Sequence, residues 1–217
     1  MRTLIIGLLA GWASAAFFAF RYMPEEPACA IQLDKMNVFY CGVDNPVTLV
    51  ARGVPEPELR IETSENLKMQ KDGNNHYTVR ASTPGEGSIT VSGGRLKPLT
   101  FKYRVKRIPD PVVRLGAQHR SGSMGNGQFR AQGGLAAVIE GLDICALCDV
   151  ASYKVIHLRK GQLMAEVANT GARYEAAVQP VIDAARPGDT YIFDEVKVRC
   201  PGDAAARALE SLTFVIK

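Results

Sequence analysis

Phe101-Lys102-Tyr103-Arg104-Val105-Lys106, followed at once by Arg107-Ile108-Pro109-Asp110-Pro111, is the stretch from which the architecture is read. Phe101, Tyr103 and Val105 alternate with three cations. Side chains along a strand point to opposite faces in turn, so this segment is a strand with one apolar and one basic face. The prolines then push Ile108 and Asp110 towards extended geometry and make a stiff joint. One β unit ends here and another begins.

Upstream of the joint, short apolar runs alternate with turn residues, which is the signature of a β-rich domain. Asn37 to Tyr40, Val47 to Ala51, Leu59 to Thr63, Tyr77 to Ala81 and Ser88 to Ser92 read as strands, and Phe101 to Val105 closes the set. Asp72-Gly73-Asn74-Asn75 and Pro84-Gly85 supply turns between them. About six or seven short strands at this spacing predict an immunoglobulin-like sandwich over residues 28–107.

Downstream, residues 108–217 read as a second β-rich domain with one short helix. Gly122 to Gly127 is glycine-rich, but it has neither the P-loop nor the dinucleotide spacing, so a flexible hairpin tip is expected. Leu135 to Ile139 and Ile144 to Leu158 are strand-like. Tyr174, Val178, Val181, Ile182 and Ala185 fall at helical spacing, with Pro180 confined to the first turns or bending the helix. Arg186-Pro187-Gly188-Asp189 stops that helix. Ile192, Val196, Val198 and Cys200 then alternate on a strand, with Asp194 the odd member, and Leu212, Phe214 and Ile216 alternate on the last one.

The 217 residues leave room for one or two domains and an amino-terminal leader. Met1 and Arg2 precede an uncharged apolar run from Thr3 to Phe20. Ala13-Ser14-Ala15 is a small-x-small cleavage signature, which makes residues 1–27 a secretory signal cut after Ala15. The same run also fits a retained anchor helix, since Phe17, Phe18 and Phe20 prolong it to about 27 Å, just short of the ~30 Å hydrocarbon core. Either way the body of the chain lies outside the cytoplasm.

An oxidising compartment gives the five cysteines a use as disulfides. Cys29 and Cys41 flank one short segment and are expected to close a small loop. A structural disulfide of Cys148 with Cys200 is expected in the second half, although the spacing leaves the map open. Cys145 and Cys148 sit three apart in a presumed strand and point opposite ways, and the three histidines are scattered, so no metal site is expected.

The net charge of +4 from 26 basic and 22 acidic side chains is too balanced for general nucleic-acid binding. Yet Arg95 to Arg130 holds nine basic residues against Asp110 alone, which leaves a +8 band and a −4 remainder. Within it Lys102, Arg104, Lys106 and Arg107 are the candidate partner-binding residues. The strip reads equally as a solvated outer face. No nucleophile elbow, His-Glu-x-x-His helix or EF-hand loop occurs. Asp194 and Glu195 are neighbours that should face opposite ways, while Asp143 and Asp149 stand about 20 Å apart along a strand. No catalytic residue and no cofactor is therefore expected.

Three separated stretches also resemble a known family, in the same order. They are Lys35 to Pro46, Val105 to Val112, and Ala185 to Asp189 continued by Tyr191 to Pro201. Together they resemble the C-terminal periplasmic portion of the GldM family, also called PorM, the gliding-motility and type IX secretion subunit of Bacteroidetes. The resemblance implies that the two units are the last two β-rich domains of that family. It also implies a homodimer, contacts to envelope proteins, and a force-transmitting scaffold rather than an enzyme. Only about ten residues join the leader to the first unit here, where the family has a long intervening region, and the apolar run carries no internal charge. A proton-driven stator role therefore does not carry over. The alternative expectation is a periplasmic module that binds an anionic polymer or lipid headgroup through the basic strip.

Overall fold

The computed structural model describes residues 27–33, 38–141 and 146–217. The leader, Cys145, Asp143 and the first three residues of the Lys35 to Pro46 stretch lie outside the described residues.

The first unit holds β1 (Ala28–Leu33), β2 (Val38–Tyr40), β3 (Asp44–Arg52), β4 (Arg60–Thr63), β5 (Leu67–Lys71), β6 (His76–Ala81), β7 (Gly85–Gly93) and β8 (Leu96–Lys106). They form two four-stranded sheets, in the orders β1-β3-β6-β5 and β2-β8-β7-β4. Alternation does the work: Val47, Leu49, Tyr77, Val79, Ile89, Val91, Tyr103 and Val105 all turn inward and are buried. Phe39 stacks at a tilt on Tyr103, with ring centroids 4.8 Å apart. Two of these strands, β1 and β5, were not anticipated. Both are sheet edges, buried on one side only, and their apolar signal is correspondingly weak.

The turn between β2 and β3 is closed by one buried amide. Asn45 accepts the Tyr40 N–H at 2.8 Å and donates to the carbonyls of Tyr40, Val43 and Val79. That satisfies backbone groups which burial would otherwise leave unpaired.

The second unit holds β9 (Val112–Leu115), β10 (Gly122–Met124), α1 (Asn126–Arg130), β11 (Leu135–Val138), β12 (Asp149–Arg159), β13 (Gln162–Thr170), α2 (Gln179–Asp183), β14 (Asp189–Arg199), β15 (Arg207–Ala208) and β16 (Leu212–Ile216). The main sheet runs β10-β16-β14-β12-β13, with β15 also on β14, and β9 pairs with β11 beside it. Phe129, Tyr153, Tyr191, Phe193 and Phe214 fill the core.

Three local expectations are corrected here. Gly122 to Gly127 is no hairpin tip: β10 pairs in parallel with β16, and α1 follows so that Phe129 can enter the core, 4.6 Å from the Tyr191 ring. The helix expected across Tyr174 to Ala185 is only the five residues of α2, with Pro180 in its first turn. On β14 the inward residues are Asp189, Tyr191 and Phe193, then Val196, Val198 and Cys200. Glu195 takes a left-handed φ of 48°, the register against β12 shifts at the same place, and the bulge flips the parity that the sequence suggested.

Candidate functional site: the joint and the basic strip

The two units meet through residues that are uncommitted in sequence and paired in space. Tyr40 and Val43, from the first unit, belong to the buried core of the second, as does Ile108 of the linker. The Cys41-Gly42 backbone lies flat on the Pro201-Gly202-Asp203 turn. A Cβ on Gly42 would fall 2.1 Å from Gly202 N, and both glycines have left-handed φ angles, +75° and +77°. No side chain fits at either position.

Asp203 anchors this contact. Its side chain is fully buried. Arg207 donates to its two carboxylate oxygens at 2.6 and 2.8 Å, Arg107 donates at 2.9 Å, and the Cys200 N–H donates at 3.0 Å. Burial alone would raise the Asp203 pKa, but the hydrogen bonds from Arg207, Cys200 and Arg107 outweigh it and hold the carboxyl at about 2. Arg207 reaches on to the Ile108 carbonyl at 2.7 Å and to Asp110 at 2.8 Å. One carboxylate and two guanidiniums thus tie the end of β8, the linker and the turn after β14.

Of the four partner-binding candidates, Lys102, Arg104 and Lys106 stand exposed along the outer side of β8. Among the described residues none of the three makes an ion pair. On β2, which runs parallel to β8, Val38 lies opposite Arg104 and Tyr40 opposite Lys106, so the strip borders the joint. Arg107 leaves the strip for Asp203. The rest of the +8 band disperses as well: Arg114 and Arg120 both bind Glu140, the latter at 2.8 Å, and Arg130 donates to the Asp183 carbonyl. Those two guanidiniums, Arg120 first, hold the Glu140 carboxyl below its ordinary range.

Cys148 and Cys200 form a disulfide. The expected Cys29–Cys41 bridge is not made, and both thiols are free. The reason is positional: Cys29 pairs with Ala51 at one end of β3, whereas Cys41 bridges Ala81 beside the Asp44 end, about 23 Å of strand away. Burial pushes both thiols up from their ordinary value.

Chemistry-bearing groups elsewhere are structurally committed. Asp189 is buried between Arg159, which binds both its oxygens at 2.8 Å, His157 at 2.9 Å and the Arg186 N–H at 3.0 Å. Arg159 above all holds that carboxyl well below the usual range, against the cost of burial, with help from His157 and Arg186. His157 stacks flat on Tyr191, with centroids 4.4 Å apart. The cluster clips β12 to the turn before β14. Asp194 accepts from Ser211 while Glu195 pairs with Lys154, so the bulge divides these neighbours. Among the described residues no group of three or more His, Cys, Asp or Glu side chains is placed to hold a metal.

Strand alternation and charge along the chain do not mark Asp203, Arg207, Gly42 or Gly202 as a site. The signal lay only in the charge sums: acids outside the +8 band had to balance it somewhere.

A mainly β protein of two units, closed on each other by a buried carboxylate and a glycine-to-glycine contact, is a tandem β scaffold. A model of the GldM third domain matches residues 28–106, and a model of the GldM C-terminal domain matches residues 108–217. The chain belongs to the GldM family. No curated protein matches it. Similar solved structures include the fibronectin(III)-like modules of Clostridium thermocellum CbhA, at 16% identity over 87% of this chain and 94% of that one, with a TM-score of 0.26. The tandem Ig repeats of Dlar match at 8% identity over 89% and 99%, with a TM-score of 0.30. At such scores neither informs the joint.

Proposed function

We propose that this chain is a non-enzymatic cell-envelope protein of the gliding and type IX secretion machinery that docks envelope partners. Its two domains, residues 28–107 and 108–217, are held on the outer side of the inner membrane by the leader of residues 1–27, as a homodimer. The observation that carries this proposal is the joint. Two of the stretches that resemble the family, and the Cys200-Pro201 end of the third, meet there, and the contact ties the two domains to each other as a scaffold under load requires. The disulfide fits an oxidising compartment such as the periplasm. Crosslinking in intact cells followed by mass spectrometry tests it. Crosslinks to envelope proteins and to a second copy are expected; recovery of neither, while a control envelope protein is captured, overturns it.

A second function is supported by the three unpaired cations on β8, namely binding of an anionic polymer or lipid headgroup. Reversing Lys102, Arg104 and Lys106 to Glu should then abolish sedimentation with peptidoglycan or anionic vesicles. Unchanged sedimentation, or none by the parent chain, leaves the strip a solvated face.

A further inference from the structure

We propose that the Cys148–Cys200 disulfide governs how tightly the two domains are coupled, so that they move as one body while the bridge is closed and independently once it is opened. Asp149 pairs with Arg199 and Val150 with Val198, so the two cysteines stand opposite each other one step beyond the β12–β14 ladder, with Cα atoms 4.2 Å apart.

What hangs on each sulfur is the argument. From Cys200 the chain passes directly into the turn whose Gly202 meets Gly42 and whose Asp203 holds Arg107. From Cys148 an isolated bridge leads to Ala137 on β11, and β11 pairs with β9, the strand that leaves the Pro109-Asp110-Pro111 linker. Both flanks of the joint therefore end on the same bridge, which closes a mechanical ring through the linker, β9, β11 and the turn.

The backbone ladder is least able to replace it at this point. Two register shifts interrupt β12–β14 between Val150 and Lys154, and beyond the bulge the other edge of β14 meets the two-residue strand β15 and the Leu209 N–H, which donates to the Val196 carbonyl at 2.9 Å. The aromatic core around Phe193 lies on the far side of the bulge, in the same buried cluster that Cys148 and Cys200 border. Loss of the bridge should loosen the turn and leave the domain folded.

Opening requires a dithiol reductant. One thiolate attacks a bridge sulfur and releases the other cysteine as a thiolate, which takes up a proton. The reductant's second thiol then resolves the mixed disulfide, leaving two cysteine thiols and an oxidised, cyclic reductant.

The test uses the full chain in detergent micelles. Spin labels are attached through non-natural ketone side chains at Asn74 and Lys160, so that native cysteines stay untouched. Pulsed electron resonance then reads the interdomain distance distribution, and mass spectrometry reports the state of the bridge. Dithiothreitol, and separately the pair Cys148→Ala with Cys200→Ala, should at least double the width of the distribution, and reoxidation should restore it. Asp203→Asn, which weakens the anchor of the joint, should broaden the distribution part-way with the bridge closed, and reduction should broaden it further. An unchanged distribution with the bridge shown open overturns the proposal. So does loss of near-ultraviolet circular dichroism on opening, since the bridge would then serve the fold of the second domain as a whole.

Discussion

Replacing Asp203 with Asn keeps the shape of the side chain and removes its charge, and the joint gives the consequence a size. The carboxylate accepts two bonds from Arg207, two from Arg107 and one from the Cys200 N–H. An Asn offers one acceptor oxygen, and its NH2 must face donors. The fall of the Asp203 pKa from 3.8 to about 2 corresponds to roughly 2 kcal/mol of stabilisation of the charged form. Removing one partner of a buried ion pair costs about 3–5 kcal/mol, because the other charge stays buried alone. Arg207 keeps Asp110 and the Ile108 carbonyl, so the expected loss for Asp203→Asn at pH 7 is at the lower end, about 2–3 kcal/mol. The sign with pH follows from the depressed folded pKa. The contribution is complete above the unfolded value near 4 and is lost as pH falls through about 2. Urea titrations of parent and variant between pH 7 and pH 2.5 should therefore show curves that lie apart at neutral pH and converge in acid. A difference within about 0.5 kcal/mol at pH 7, the ordinary range for an uncommitted surface site, refutes this account of the joint, as does a difference that ignores pH.

Gly42→Ala should destabilise by more than the 1–2 kcal/mol that a left-handed residue costs, since its Cβ also strikes the Gly202 backbone. Gly73→Ala, with nothing within 4 Å, serves as the neutral control in the same melt. Phe129→Ala should cost about 3–5 kcal/mol in chemical denaturation, because the ring is fully buried; a hairpin tip would lose almost nothing. Asp189→Asn should flatten acid denaturation of the second domain. Its carboxyl, held low chiefly by Arg159, contributes stability above pH 4 that is lost on acidification, and an unaltered acid transition would contradict this.

The β punctuation and the apolar face of β8 were legible because period-two alternation over a one-sided core writes itself into the sequence. The β14 parity was not. A bulge at Glu195 inserts one residue, and nothing in the side-chain types distinguishes it from an odd polar residue at Asp194. Phe129 was lost to its neighbours, since glycines at 122, 125 and 127 read as flexible although one aromatic was enough to draw a helix into the core. The charge band misled in a different way. Counting charges along the chain puts Arg107, Arg114 and Arg120 in one basic band, whereas Asp203 and Glu140 lie 96 and 20–26 positions away and claim all three. Cys29 and Cys41 are close in sequence but stand at opposite ends of β3, and proximity along a chain says little about where along a sheet a residue falls.

That three short stretches carry the family resemblance has a physical cause in where they meet. A residue on an open sheet face is asked only to be polar, and one in a core only to be apolar and of suitable volume, so many side chains serve. Gly42 must instead lack a side chain because Gly202 occupies the space, and Asn45 must present both an acceptor and donors to close its turn. Arg107 must reach a carboxylate supplied by the other domain, and Pro109 and Pro111 must hold the linker at a fixed length. Positions constrained from two sides at once tolerate few alternatives. Where such positions fall in separate parts of a chain and are in contact in space, the contact is the element that the sequence is least free to alter. In this chain that element is the joint, where Gly42, Arg107 and the Pro201-Gly202-Asp203 turn hold the relative placement of the two domains.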